Sequence, residues 1–272
     1  MHYSSSFSAK LVSDFCKVTH DSNIVHDTNY MHTNGKRVIV PGMLLLCSLM
    51  SKCWNSVTDK DLPNLYQFYF NSITSEDEFV TFFCRPEDTF PPSLSLHAIN
   101  GRDCFSLNEK YSFATYIDDY ELFDSSEWVD RSLPFAENQL EEFKNIMKIN
   151  DDAYSSLLFS ISYASMALFK AINEPLSDVE KEIHNLLDKK SNADCVSPFY
   201  QSLKIFIPKP SHIKVPSKEI KYFIHFDRYV LNKSYGCSLV CKINDHVVFN
   251  ATYNMVSIPD RLIMRMAKNI NN

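Results

Sequence analysis

A long apolar helix followed by four strand-like segments occurs twice along this chain of 272 residues, and that repeated order limits the fold more than any other feature. The first helix spans residues 38–54 and is apolar on nearly every side up to Ser51 and Lys52, as suits a helix buried inside a curved sheet. Strand-like segments follow at 65–72, 78–85, 94–100 and 103–113. The last two are joined by Asn100-Gly101, a strong hairpin signal. A polar, acidic stretch over 118–131 interrupts the pattern and suits an exposed connector. The order then begins again. Residues 137–149 read as helix or loop, 155–172 as a second apolar helix with small residues at Ser160, Ser162, Ala164 and Ser165, and 175–190 as an amphipathic helix. Strands are expected at 200–207, 220–230, 237–243 and 246–256. Ile99-Asn100 and Phe105 share their separation with Ile243-Asn244 and Phe249, and Tyr66-Gln67 and Tyr200-Gln201 open corresponding strands. These coincidences point to a duplicated unit of roughly 125 residues.

Composition removes several classes of function. The hydrophobic fraction of 45% supplies a real core, and a net charge of -6 gives no overall basic field for nucleic acid. The cysteines are scattered and most sit inside apolar segments, so they read as reduced packing residues; the spacing gives no zinc motif, and no metal site is expected. The first residues lack the plan of a signal peptide, and no apolar run reaches the about 18 residues that spanning a bilayer requires. A soluble cytoplasmic protein without membrane or nucleic-acid partners is expected.

The candidate chemistry lies in one loop. Asp21 and His26 stand five residues apart, and Pro41-Gly42 begins the first apolar helix fifteen residues further on. A carboxylate and an imidazole held together can divide general acid and base work, while N–H groups at a helix start can stabilise a developing oxyanion. Gly42 and its neighbour Met43 are the candidates for that second task, Gly42 because its missing side chain lets a carbonyl approach. Asn23 reads as a loop support through side-chain to backbone hydrogen bonds. Taken alone, an Asp-x4-His spacing is common and Pro41-Gly42 could simply open a buried helix.

The residues Phe15, Asp21, Asn23 and His26 match, at the same spacing, the pattern of the MaoC-like dehydratase family, which includes the (R)-specific enoyl-CoA hydratases. Tyr30 and the Gly42-Met43-Leu44 turn match with small shifts. Ile24 stands where the family has proline, Asp27 follows His26 directly instead of one residue later, His20 replaces a common glycine, and Pro41 replaces the usual histidine. The resemblance implies an α+β double hotdog, with two antiparallel sheets each wrapped around a long central helix in one pseudo-dimeric unit. Residues 1–117 would be the hotdog that carries the motif, 118–134 a connector, and 135–272 a degenerate partner hotdog, because its counterpart segment at 143–152 contains no histidine and no glycine precedes its helix.

The same resemblance implies a hydro-lyase in which Asp21 and His26 hold one water, adding it to an enoyl thioester or removing it from a 3-hydroxyacyl thioester. No cofactor is implied beyond the coenzyme A or phosphopantetheine that carries the substrate. An acyl carrier protein is a candidate partner, with Lys204, Lys209, Lys214, Lys218 and Lys221 as a candidate basic region, and the chain would act as a monomeric double hotdog or a homodimer. Two alternatives stand beside this one: a non-catalytic acyl-thioester-binding or scaffold hotdog, and a thioesterase. The thioesterase is disfavoured because residues 38–54 contain no Asp or Glu.

Overall fold

The computed structural model describes residues 2–57, 64–87, 93–99, 103–111, 128–187, 196–207, 213, 218–226 and 234–270. In chain order the first half holds β1 (His2–Ser6), α1 (Ala9–Thr19), a 3-10 turn at Ile24–His26, α2 (Thr28–Thr33) and the apolar α3 (Gly42–Val57). Four strands follow: β2 (Asn64–Phe70), β3 (Phe79–Glu87), β4 (Ser93–Ile99) and β5 (Asp103–Tyr111). The second half holds β6 (Val129–Pro134), α4 (Glu137–Met147), α5 (Asp152–Asn173), α6 (Asp178–Leu187), β7 (Val196–Ile207), β8 (Glu219–Phe226), β9 (Ser234–Ile243), β10 (His246–Pro259) and α7 (Asp260–Met266).

All ten described strands join one antiparallel sheet in the order β1-β3-β4-β5-β2-β7-β10-β9-β8-β6. Read inward from each edge, the two halves repeat the same order with every label raised by five. The two five-stranded sheets meet at β2 and β7, whose antiparallel register sets Tyr66 opposite Ile205 and Phe68 opposite Leu203. The expected two sheets are therefore continuous, fused edge to edge, which leaves neither central strand with an unpaired backbone edge. The architecture is the α+β double hotdog: α3 and α5 are the two central helices, and their apolar side chains share one core with the inward faces of the strands.

Local sequence explains most of these elements. Strand β8 alternates exposed and buried positions, with Ile220, Tyr222, Ile224 and Phe226 inward, the period of two that a half-covered sheet requires. The β9–β10 hairpin turns on Asn244 and Asp245, both at positive φ (50° and 62°); that turn matches the right-handed twist of its strands, and Asn and Asp tolerate it well. Its repeat partner at Asn100-Gly101 lies outside the described residues, although Ile99 and Asp103 on either side are paired. In α5 the buried serines return their protons to the helix: Ser160 Oγ donates to the Ser156 carbonyl (2.7 Å) and Ser162 Oγ to that of Leu158 (2.9 Å). Burying a hydroxyl costs little when it is bonded. Small side chains let α3 approach, and Cys47 Sγ lies 3.0 Å from Ser162 Oγ.

Three features differ from expectation. The first is β1, a polar run that pairs with β3 and is anchored where Tyr3 donates to the Ser48 carbonyl (2.9 Å). The second is β6, which falls inside the stretch 118–134 expected to be a connector and pairs with β8; residues 118–127 lie outside the described residues. Its inward face carries Arg131, whose charge hides the alternation, and that charge is met by buried Glu180 (2.9 Å). The third is α5, 22 residues whose most apolar 18-residue stretch has a mean hydropathy of 1.3, long and apolar enough by those measures to cross a bilayer. It is the core helix of the second half, packed against α1, α3, α4, α6, β6 and β8, and 83% of its most apolar window is buried.

Candidate functional site

The loop that carries Asp21 is fixed by a helix end. Helix α1 begins with Ser8, whose hydroxyl accepts the Leu11 N–H (3.2 Å), and ends at His20 in the left-handed region (φ 53°). The Asp21 N–H then turns back to the Cys16 carbonyl (2.9 Å), a closure that satisfies carbonyls the helix would otherwise leave open. Helix α4 ends in the same way: Lys148 has φ 56° and the Ile149 N–H reaches the Lys144 carbonyl (3.1 Å). Counted from these helix ends, Phe15 corresponds to Phe143, Cys16 to Lys144 and Asp21 to Ile149. Phe15 and Phe143 touch each other, ring centroids 6.1 Å apart, where α1 meets α4.

From Asp21 the chain makes two Asx-type turns. Asp21 Oδ1 accepts the Asn23 N–H (3.1 Å), and Asn23 Oδ1 accepts the Val25 N–H (3.4 Å), which opens the 3-10 turn that ends on His26. Asn23 Nδ2 also donates to the Pro198 carbonyl of β7 (3.4 Å), tying the loop to the second half. His26 Nδ1 lies 2.7 Å from the Ile39 carbonyl oxygen. A carbonyl can only accept, so Nδ1 carries a proton, and the tautomer this contact selects is the one with its lone pair on Nε2. Nε2 faces Asp21 Oδ2 at 3.9 Å, with the two side chains only 9% and 10% exposed. That separation is too long for a direct hydrogen bond, yet one water with bonds of about 2.8 Å to each can span it.

Ile39, which orients the imidazole, is itself held in place. Its N–H donates to the Val25 carbonyl (3.1 Å), the Val40 N–H to that of Thr74 (2.8 Å), and the Glu76 N–H to that of Val38 (2.8 Å). Glu76, buried, accepts both the Val38 N–H (3.1 Å) and His32 Nε2 (2.6 Å). His32 is thereby engaged away from His26, and His20 contacts Gln139 Nε2 (2.8 Å). The described residues contain no cluster able to hold a metal ion.

Helix α3 starts at Gly42. The Pro41 carbonyl takes the N–H groups of Leu44 and Leu45 (3.0 and 3.2 Å), leaving those of Gly42 and Met43 as donors of the first turn with no acceptor among the described residues. The space beside Gly42 is occupied: a Cβ there would meet the Phe70 ring at 2.7 Å. The missing side chain thus serves the packing of Phe70, whose ring in turn lies 6.0 Å from that of Tyr200. In the aromatic strand β2, Tyr66 and Phe68 are core residues.

A small cavity of about 20 Å³ lies on the other side of Asp21, lined by Ser165, Leu168, Phe169 and Ile172 of α5, Pro198 and Tyr200 of β7, and Met255 of β10. Apart from Asp21, every lining residue comes from the second half. None of them stood out in the sequence, because only the fused sheet brings α5 and β7 beside the Asp21 loop. Tyr200 donates its hydroxyl proton to Ser165 Oγ (2.9 Å). Burial holds the Tyr200 hydroxyl, and the neighbouring Cys16 thiol, well above their ordinary values, with the Asp21 carboxylate adding to both. In the candidate basic region, Lys221 is answered by Asp245 (3.5 Å) and Glu219 (3.6 Å); Lys209 and Lys214 lie outside the described residues.

No family model and no curated protein matches the sequence. Solved structures do match the fold. A MaoC-like dehydratase from Phytophthora capsici aligns over 96% of this chain and 95% of its own, with TM-score 0.58 and 10% identity. A MaoC domain protein dehydratase from Chloroflexus aurantiacus J-10-fl aligns over 94% and 93%, with TM-score 0.57 and 8% identity. The acyl-CoA thioesterase II TesB2 from Mycobacterium marinum aligns over 82% and 91%, with TM-score 0.50 and 10% identity.

Proposed function

We propose that this double hotdog is a hydro-lyase that adds water to an enoyl thioester, or removes it from a 3-hydroxyacyl thioester, using Asp21 and His26. The observation that carries this reading is the buried pair itself: a carboxylate and an imidazole of fixed tautomer, facing each other at 3.9 Å with both rear positions hydrogen-bonded. Hydration must take one proton from water as its oxygen bonds to C3 and deliver one to C2. Two groups sharing one water divide these transfers. The enolate-like thioester oxygen would be received by the orphan N–H groups of Gly42 and Met43. That approach shares its space with Phe70, so movement of this ring is part of the proposal.

Fold neighbours of two chemistries frame the choice between dehydration and thioester hydrolysis. The arrangement here favours the first, because α3 contains no Asp or Glu and α5 contains only Asp152, exposed in its first turn. The second half has no counterpart of the pair: Ile149 stands in the place of Asp21, and Asp151 caps α5 directly, accepting the Tyr154 N–H (2.8 Å). One site per chain follows. The substrate would be of the (R)-3-hydroxyacyl series, carried on coenzyme A or on a carrier protein, by a cytoplasmic enzyme with no resident cofactor. The occupied space at Gly42 favours, as the second reading, an acyl-thioester-binding hotdog that has lost its chemistry. Incubation of the whole chain with enoyl-CoA thioesters from four carbons upward separates the two: loss of the conjugated enoyl absorbance and appearance of the 3-hydroxyacyl product support the hydro-lyase, whereas saturable binding with no product supports the second reading.

A further inference from the structure

The cavity beside Asp21 has the size of one water molecule: about 20 Å³, where roughly 10–15 Å³ is enough for one water and two to four polar partners are needed to hold it. Three of its lining residues have polar side chains, Asp21, Ser165 and Tyr200. Ser165 is 2% exposed and accepts from Tyr200, and its own proton finds no acceptor among the described residues. A buried hydroxyl proton without an acceptor among the described residues, in a cavity that a carboxylate also lines, is a defect that a water would repair.

From this geometry we infer that a buried water bridges the Asp21 carboxylate to the Ser165–Tyr200 hydroxyl pair, so that the degenerate half positions the carboxylate of the active half. The water accepts the Ser165 proton and donates to Asp21, and its second proton can go to the Tyr200 oxygen. His26 does not line this cavity, so this water is distinct from one shared by Asp21 and His26. The Asn23 N–H fixes Oδ1 and the His26 edge faces Oδ2; the bridge supplies a third restraint from the opposite wall. Ser165 and Tyr200 are positioning residues in this scheme, acting through the water on Asp21. The inference rests on the hydro-lyase reading for its kinetic consequence, but not for the water itself.

The test has two arms. A high-resolution crystal structure of the whole chain should show one ordered water within about 3 Å of an Asp21 carboxylate oxygen and of Ser165 Oγ or Tyr200 Oη; a dry cavity, or one filled by a shifted side chain, overturns the bridge. In enoyl thioester hydration, Tyr200→Phe and Ser165→Ala should each lower kcat about fivefold to tenfold with KM nearly unchanged, as expected for loss of one hydrogen bond that orients the carboxylate. The double variant should cost little more than either single change, because both act through one water. Variants that unfold at the parent's temperature yet retain the parent's kcat overturn the positioning role even if the water is present. A parent chain that hydrates no enoyl thioester sinks the hydro-lyase reading and the positioning role with it, while the diffraction arm still decides the bridge.

Discussion

Asp21 and Ile149 occupy the same place in the two halves of this protein. Each is the second residue past an eleven-residue helix, each follows a left-handed residue (His20 and Lys148), and each returns its N–H to a carbonyl of the helix's last turn. The same backbone scaffold thus recurs in both halves, and only one of them carries a carboxylate on it. After that point the halves diverge. The second half enters α5 at once through the Asp151 cap, whereas the first spends residues 22–41 on the turns that carry His26 and on the Val38–Val40 segment that holds it.

The contact between Gly42 and Phe70 predicts a packing cost at the helix start. Gly42→Ala sets a methyl group 2.7 Å from the Phe70 ring, closer than van der Waals contact allows, and should destabilise the fold by about 1–3 kcal/mol, the usual range for overpacking. Combining it with Phe70→Leu should recover most of that loss. Urea unfolding of the two single variants and the double variant measures both effects; additive losses would contradict the contact.

A buried thiol predicts how stability changes at high pH. Burial pushes the Cys47 thiol from 9.0 up to about 12, against the Ser162 hydroxyl that tempers the shift. The folded-state value is raised, so the folded chain keeps a proton that the unfolded chain gives up; the stabilisation is complete below about pH 9 and is lost as pH rises towards 12. Unfolding midpoints should therefore fall between pH 9 and 11, and Cys47→Ala should flatten part of that decline. The same thiol should resist alkylation at pH 8 in the folded chain and react once it is denatured.

The ion pair of Arg131 with Glu180 predicts the sensitivity of the far edge. Arg131 is 8% and Glu180 1% exposed; Arg131 also donates to the Glu174 carbonyl (2.8 Å), and Glu180 accepts the N–H groups of Leu176 and Ser177. Glu180→Gln leaves the guanidinium buried without its counter-charge and should cost about 3–5 kcal/mol. Replacing both residues by apolar ones of similar size should cost much less, as thermal unfolding would show; equal losses would contradict a cost that comes from the stranded charge.

The fold was legible where one face of each element is consistently apolar. Helices α3 and α5 and the strands β2 to β5 and β7 to β10 follow from their patterns, with ends shifted by a few residues. Strand β1 was not legible, because Ser4, Ser5 and Ser6 have no apolar alternation and gain their place from pairing with β3. Strand β6 was hidden by Arg131, whose charge is tolerable inside only because Glu180, nearly fifty residues later, arrives beside it. At the site, the spacing from Asp21 to His26 reflects a local turn and was readable as such. The Ile39 carbonyl, the Ser165 and Tyr200 hydroxyls and the Phe70 ring reach the site through tertiary contacts, and no local pattern announces them.

The most direct measurement is the rate of hydration of a short enoyl thioester by the parent chain and by Asp21→Asn and His26→Ala. For both variants the account predicts a loss of about 10²–10⁴ in kcat, with the unfolding transition of Asp21→Asn close to the parent's and that of His26→Ala lowered by the loss of its buried contact with the Ile39 carbonyl. Variants that hydrate the thioester as fast as an active parent would contradict the assignment of the chemistry to Asp21 and His26.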